Sequence, residues 1–252
     1  MNEKYKNGVI CCIHGNSSSS RIFKSLVESK YIKQAVIAFD LPGHGINNNV
    51  LDESNFTFSS YKKYLLEQLS MIDKNILLFG NSLGGHLSIE IAHEIKNLKG
   101  LVIMGTPPVK HPLNFQDAWI SNEDLNTFLS EHPTDELIEK AASIAVYNQT
   151  LSKIVVEDFK NTVPSVRKVC ASEIMSGKLE NEYKLFIELD KPKFIIAGNN
   201  DPSVNKNYLN ECQANSINEC KIYDVDKCGH YPIDAPDTIG KIISNIADEV
   251  LI

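Results

Sequence analysis

The stretch FGNSLGGH, residues 79–86, sets Ser82 among three glycines, directly after the apolar run ILLF at 76–79 and directly before a helix-like segment. A serine on a sharp strand-to-helix turn has its hydroxyl thrust outward, and small residues at Gly80 and Gly84 relieve the crowding of such a turn, the setting of a nucleophile elbow. Taken alone, the pattern is modest: it arises by chance on the order of one time in ten in a chain this long, and two glycines opening a helix would explain it. Partners decide the matter. A serine hydroxyl attacks poorly at neutral pH unless an imidazole takes its proton, and the imidazole needs a carboxylate to fix its tautomer. Of the seven histidines, His230 in CGHYP follows a late strand-like run and precedes the last helical stretch, which makes it the candidate general base. Asp201, in GNNDP at 198–202, ends the run FIIA and falls on the same sheet edge as Ser82. Asp226 is the rival carboxylate, nearer to His230 in sequence and equally readable as part of a solvated turn.

Acyl chemistry also needs donors aimed at a developing oxyanion, each worth roughly 3 to 4 kcal/mol in the transition state. The amide of Leu83 opens a helix and supplies one. The loop IHGNSSSS at 13–20 offers Gly15 for an unusual turn and the amide of Asn16 as the second donor, with His14 expected to brace the loop and Ser18 to Ser20 to cap the helix that follows.

Positioning these groups falls to short apolar runs at 8–13, 35–39, 76–79, 101–104, 194–197 and 221–225. Their nearly continuous hydrophobicity reads as parallel strands covered on both faces. Between them, 59–72 carries Tyr61, Leu65, Leu69 and Ile72 at helical spacing with Ser59 or Ser60 as candidate cap, and 83–95 and 236–251 repeat the pattern. This βαβ rhythm predicts a doubly wound, mostly parallel α/β sheet. From 107 to 191 no convincing strand occurs, only helical patterns such as 135–147 and 164–176; this block reads as a helical insertion over one edge of a core made of 1–106 and 192–252. The asparagines at 47–49 read as solvated loop.

Composition removes other functions. The net charge of -7 is spread without a basic stripe, which argues against nucleic acid and anionic membrane as partners. The apolar run 9–13 is too short for a signal core or a membrane span, so a cytoplasmic location is expected. Six cysteines show no CxxC spacing, and Cys11 and Cys12, adjacent in a strand, should point to opposite faces as small buried hydrophobes. Oligomeric state leaves no signature.

Five motifs carry a resemblance: HG at 14–15, DLPGHG at 40–45, GNSLGG at 80–85, GNND at 198–201 and GH at 229–230 are similar, in order and placement, to those of the α/β-hydrolase superfamily over nearly the whole chain. The resemblance implies a Ser-Asp-His order, a helical cap inserted after the fourth core strand, and bracing roles for Asp40 and His44. The first strand-like run begins only at Gly8, so the antiparallel hairpin that usually opens the family's sheet is expected to be truncated or missing. Serine at position 82 separates the chain from the dehalogenase and epoxide hydrolase branches, which use aspartate there. No cofactor and no metal is expected. The reading is a carboxylesterase-like serine hydrolase acting on a small-molecule acyl substrate, a small or medium ester, thioester or lactone. The same residues also suit a carbon-carbon bond hydrolase or a perhydrolase, and the fold suits a non-catalytic small-molecule receptor. Apolar residues of the helical block, Phe115, Trp119, Leu125 and Phe128, are expected in helix packing more than as pocket lining.

Overall fold

Strands β1 (Val9–Ile13), β2 (Ala35–Phe39), β3 (Ile76–Asn81), β4 (Leu98–Met104), β5 (Lys193–Gly198) and β6 (Cys220–Val225) form one sheet in a computed structural model that describes residues 8–112 and 114–251. The strands run in the order β2-β1-β3-β4-β5-β6, every neighbouring pair parallel. This is the doubly wound α/β sheet expected from the sequence. Whether a hairpin precedes β1 concerns residues 1–7, which lie outside the described residues.

Among the described residues ten α-helices accompany the sheet: α1 (Lys24–Val27), α2 (Phe58–Ser70), α3 (Leu83–Ile91), α4 (Phe115–Ala118), α5 (Asp135–Ala145), α6 (Ser152–Asn161), α7 (Pro164–Met175), α8 (Glu182–Glu188), α9 (Lys206–Ala214) and α10 (Pro236–Val250). The side chains of β1 alternate between two cores. Cys11 and Ile13 join Tyr61, Leu65 and Leu69 of α2 and Leu87 of α3. Ile10 and Cys12 join Phe23 and Ile239, Ile243 and Ile246 of α10. The adjacent cysteines therefore do face opposite layers, and all six cysteines are free. Burial pushes the Cys11 thiol up to about 12, which keeps it inert. Strands β1, β3 and β5 are buried throughout, whereas the outer strands β2 and β6 are mostly half-buried.

Two local readings change. Neither Ser59 nor Ser60 caps α2: Thr57 does, accepting the Ser60 N–H at 3.2 Å. A capping side chain must stand before the first helical residue, and the apolar Phe58 is already inside the helix. Strand β4 begins at Leu98 rather than 101, because Leu98 pairs with Ile76 while Gly100 pairs with Leu77, and the exposed Lys99 is bulged out of register. The lysine and glycine hide this extension from a reading of apolar runs.

Between β4 and β5 the described chain contains α4 to α8 and no strand, apart from an isolated bridge joining Trp119 to Val204. Because β1 leads to β2 on one side and β3 lies on the other, the strand order reverses between β1 and β3, and a crevice opens at their carboxyl ends, where α/β sheets bind ligands.

Phe79 of β3 is fully buried and meets Phe23 edge-on with ring centres 5.3 Å apart. Phe79→Ala is expected to lower unfolding free energy by about 3 to 5 kcal/mol, read as a shift in the denaturant midpoint at unchanged slope.

Candidate active site

Ser82 occupies the turn between β3 and α3 with φ 54 and ψ -124, a positive φ that non-glycine residues seldom adopt. The strain is sustained because the surroundings over-determine it. Ser82 donates its backbone N–H to Met104 O at 2.9 Å, its carbonyl accepts from Gly85 and His86 of α3, and Thr106 Oγ1 lies 3.0 Å from both the Ser82 and Met104 carbonyls. Helix α3 is buried on every side, so the serine stands on a rigid support. Two glycines permit the close approach of the neighbouring loop. A Cβ on Gly84 would strike the Ile13 carbonyl at the end of β1, and a Cβ on Gly15 would come within 2.8 Å of the Ser82 Cβ.

The loop after β1 is held by buried neutral imidazoles. His14 Nδ1 donates to Gly15 O at 2.7 Å, and its Nε2 accepts the Leu41 N–H at 3.1 Å. His44 Nδ1 donates to Pro42 O, and its Nε2 accepts from Ser17 N, a residue held at φ 55. Burial drives both histidines below the ordinary value, so neither carries charge here. Asp40 accepts the N–H groups of Ser20 and Ile46 on its two oxygens. Ser19 caps the short helical turn Ser20–Phe23. The bracing expected of His14, Asp40 and His44 is thus what their contacts do. In this frame the N–H of Asn16 and that of Leu83, the first residue of α3, donate to no acceptor among the described residues.

His230 sits on the turn after β6, where Asn81 Nδ2 bonds its carbonyl at 2.9 Å and its N–H donates to Ala145 O at 2.9 Å. Its Nδ1 lies 2.9 Å from Asp201 Oδ2. The second oxygen of Asp201 accepts the Ser203 N–H at 2.9 Å and the Ser203 hydroxyl at 2.7 Å. Burial pulls the His230 imidazole down, but the charge of Asp201 and its hydrogen bond together outweigh it, leaving the ring above the ordinary 6.5. Burial pushes Asp201 up, and the charge and bond of His230 with the two bonds from Ser203 overcome that, holding the carboxyl below its usual range. The rival Asp226 is exposed and accepts instead from the Asn199 amide. Ser82 and His230 line one cavity, with no hydrogen bond formed between their side chains.

That cavity has a volume of about 840 Å³ and is bordered by Asn16, Ser82, Leu83 and His230 at its polar end. Phe115, Trp119, Leu125 and Phe128 all line it, which corrects the expectation that they serve chiefly in helix packing. Three of them also touch the cores, so one face packs while another is left to the cavity. Sequence reasoning passed over Asn81, Thr106 and Ser203. Asn81 was legible as an unassigned position of GNSLGG and Ser203 as a hydroxyl two residues after Asp201, a local turn signal; Thr106 left no mark. Among the described residues no group of three His, Cys, Asp or Glu side chains gathers to hold a metal.

Residues 8–235 match the family model for the alpha/beta hydrolase fold, and the chain belongs to that family. It is a hydrolase of the α/β class. Among solved structures it is similar to the N-acyl homoserine lactonase AidH complexed with N-butanoyl homoserine, at 25% identity and a TM-score of 0.86 over 96% of this chain and 89% of that one. It also resembles in fold the esterase RhEst1 from Rhodococcus sp. ECU1013, at 18% identity and a TM-score of 0.77 over 96% and 91% of the two chains. The meta-cleavage product hydrolase CumD from Pseudomonas fluorescens IP01 is similar at 19% identity and 0.75, with 96% and 91% covered.

An NMR titration of the His230 ring nitrogens is expected to give a midpoint above 6.5. In Asp201→Asn the upward influences vanish while burial persists, so the midpoint moves below that value; an unmoved midpoint would separate the two residues.

Proposed function

We propose that the protein is a serine hydrolase that transfers the acyl group of a small or medium ester, thioester or lactone to water through an acyl-enzyme on Ser82. The observation that carries this reading is a strained, outward serine sharing one cavity with an imidazole whose tautomer Asp201 dictates. Ser82 Oγ attacks the carbonyl carbon as His230 Nε2 takes its proton; Asp201 keeps Nδ1–H in place and offsets the imidazolium charge. The amides of Leu83 and Asn16 receive the oxyanion, aided by the positive end of α3. Collapse expels the alcohol or thiol, which takes the proton from His230, and water repeats the sequence to free the acid.

The helical segment 107–191 serves as a cap whose Phe115, Trp119, Leu125 and Phe128 shelter the acyl chain. An oxygen ester or lactone is favoured over a carbon-carbon bond, a preference that the lactonase among the similar structures supports. Free cysteines suit a reducing compartment, and no described helix is long and apolar enough to cross a membrane, so we place the enzyme in the cytoplasm.

Incubation with short p-nitrophenyl esters and a serine-directed phosphonate tests the reading: turnover and a mass increase on Ser82 are expected, and absence of both would instead indicate a binding protein. Ser82→Ala should remain folded with kcat lower by roughly four orders of magnitude or more. The acid limb of kcat/KM should have its midpoint above 6.5, because the protonated ring cannot act as base and its pKa is raised; Asp201→Asn should shift that limb to lower pH while reducing kcat.

A further inference from the structure

Four residues beyond Ser82, about 6 Å along α3, a second imidazole borders the same cavity. His86 lines it beside Trp119, with ring centres 5.9 Å apart. Its Nδ1 lies 2.7 Å from Oε2 of Glu182, in the first turn of α8. That oxygen also accepts the Val109 N–H at 2.9 Å, while Oε1 is buried without a hydrogen-bond partner among the described residues. None of these contacts involves Ser82, Asp201 or His230. Glu182 is fully buried, and among the described residues its only side-chain partner is a histidine at the cavity wall. The buried Val109 N–H by itself would be satisfied by a neutral amide oxygen at less cost in desolvation, so the imidazole is the partner that a carboxylate suits.

What the carboxylate does settle is the orientation and tautomer of the ring. With Nδ1–H directed at Glu182, the tautomer this contact selects is the one that carries its lone pair on Nε2. Nε2, on the opposite edge of the ring, has no hydrogen-bond partner among the described residues, and the ring borders the cavity beside the aromatic pair Trp119 and Phe115. A lone acceptor in an aromatic wall discriminates strongly, because a substrate without a matching donor leaves it desolvated and unpaired.

We propose that His86, positioned by Glu182, is a specificity subsite that accepts a hydrogen bond from a hydroxyl or amide N–H carried by the acyl part of the substrate. The proposal rests on the acyl-transfer reading of Ser82. Two matched pairs of p-nitrophenyl esters test it: 3-hydroxybutanoate against butanoate for the hydroxyl, and N-acetylglycinate against 4-oxopentanoate for the amide, where N–H replaces CH2. The wild-type protein should favour the donor-bearing member of at least one pair by about tenfold in kcat/KM. In His86→Phe that ratio should fall to near one. Glu182→Gln, which retains an oxygen for both donors, should keep the preference, and Glu182→Leu should lose it.

Phosphonate labelling of Ser82 in each variant certifies that the fold and the nucleophile survive. A labelled, active wild type with both ratios within about twofold of one, or a preference that persists in His86→Phe, overturns the subsite alone. A preference that persists in Glu182→Leu removes the positioning role. A wild type that neither takes the label nor turns over any ester overturns the acyl-transfer reading together with the subsite built on it.

Discussion

Contact between the loop after β1 and the turn at Ser82 is the constraint from which the remaining geometry follows. Two backbones meet there more closely than side chains allow, so Gly84 lies under the Ile13 carbonyl and Gly15 lies against the Ser82 Cβ. The meeting places two unspent N–H groups, those of Asn16 and Leu83, beside one hydroxyl. It also forces Ser82 into a positive φ, strain that is held by the Met104 carbonyl, by Thr106 and by a fully buried helix. Charge would disrupt so tight a junction. Its two histidines, His14 and His44, are kept neutral by burial and act as paired donor and acceptor struts.

Histidine serves three different ends in one molecule, and the surroundings decide which. His14 and His44 have both nitrogens occupied by backbone groups and no access to solvent. His230 has one nitrogen committed to a carboxylate that is itself supported by Ser203, and its ring borders the cavity that Ser82 also lines. His86 repeats the committed-nitrogen arrangement with Glu182 at a second place on the cavity wall. Each of the two rings thus has one nitrogen held by a carboxylate while it borders the same cavity.

The helical segment between β4 and β5 does more than cover the cavity. Asn16 Nδ2 donates to Phe128 O at 2.6 Å, Ser19 donates to Asp158 at 2.8 Å, and Arg167 of α7 donates to the carbonyls of Ser130, Glu131 and Phe159. Tyr147 and Asn148 donate to Asp234, which also accepts from Gly229 beside His230. The loops that bear Asn16 and His230 are thereby fastened to the segment lining the cavity, so pocket shape and site geometry are coupled through short hydrogen bonds.

Local chemistry made much of this legible in the amino-acid order alone. Six apolar runs announced a parallel sheet because buried strands need hydrophobic side chains on both faces, and GNSLGG announced the elbow because only small residues tolerate such a turn. Position relative to those strands singled out Asp201 and His230. Other features depended on which distant residues meet. Asp201 and Asp226 both end strands, and only the folded molecule shows one buried against His230 and the other exposed. The bulge at Lys99, the cavity faces of Trp119 and Phe128, and the meeting of His86 with Glu182, 96 residues apart, leave no local signature. The physical reason is that periodicity along a chain reports which side of an element is buried, whereas a partner across space is selected by packing that no short stretch encodes.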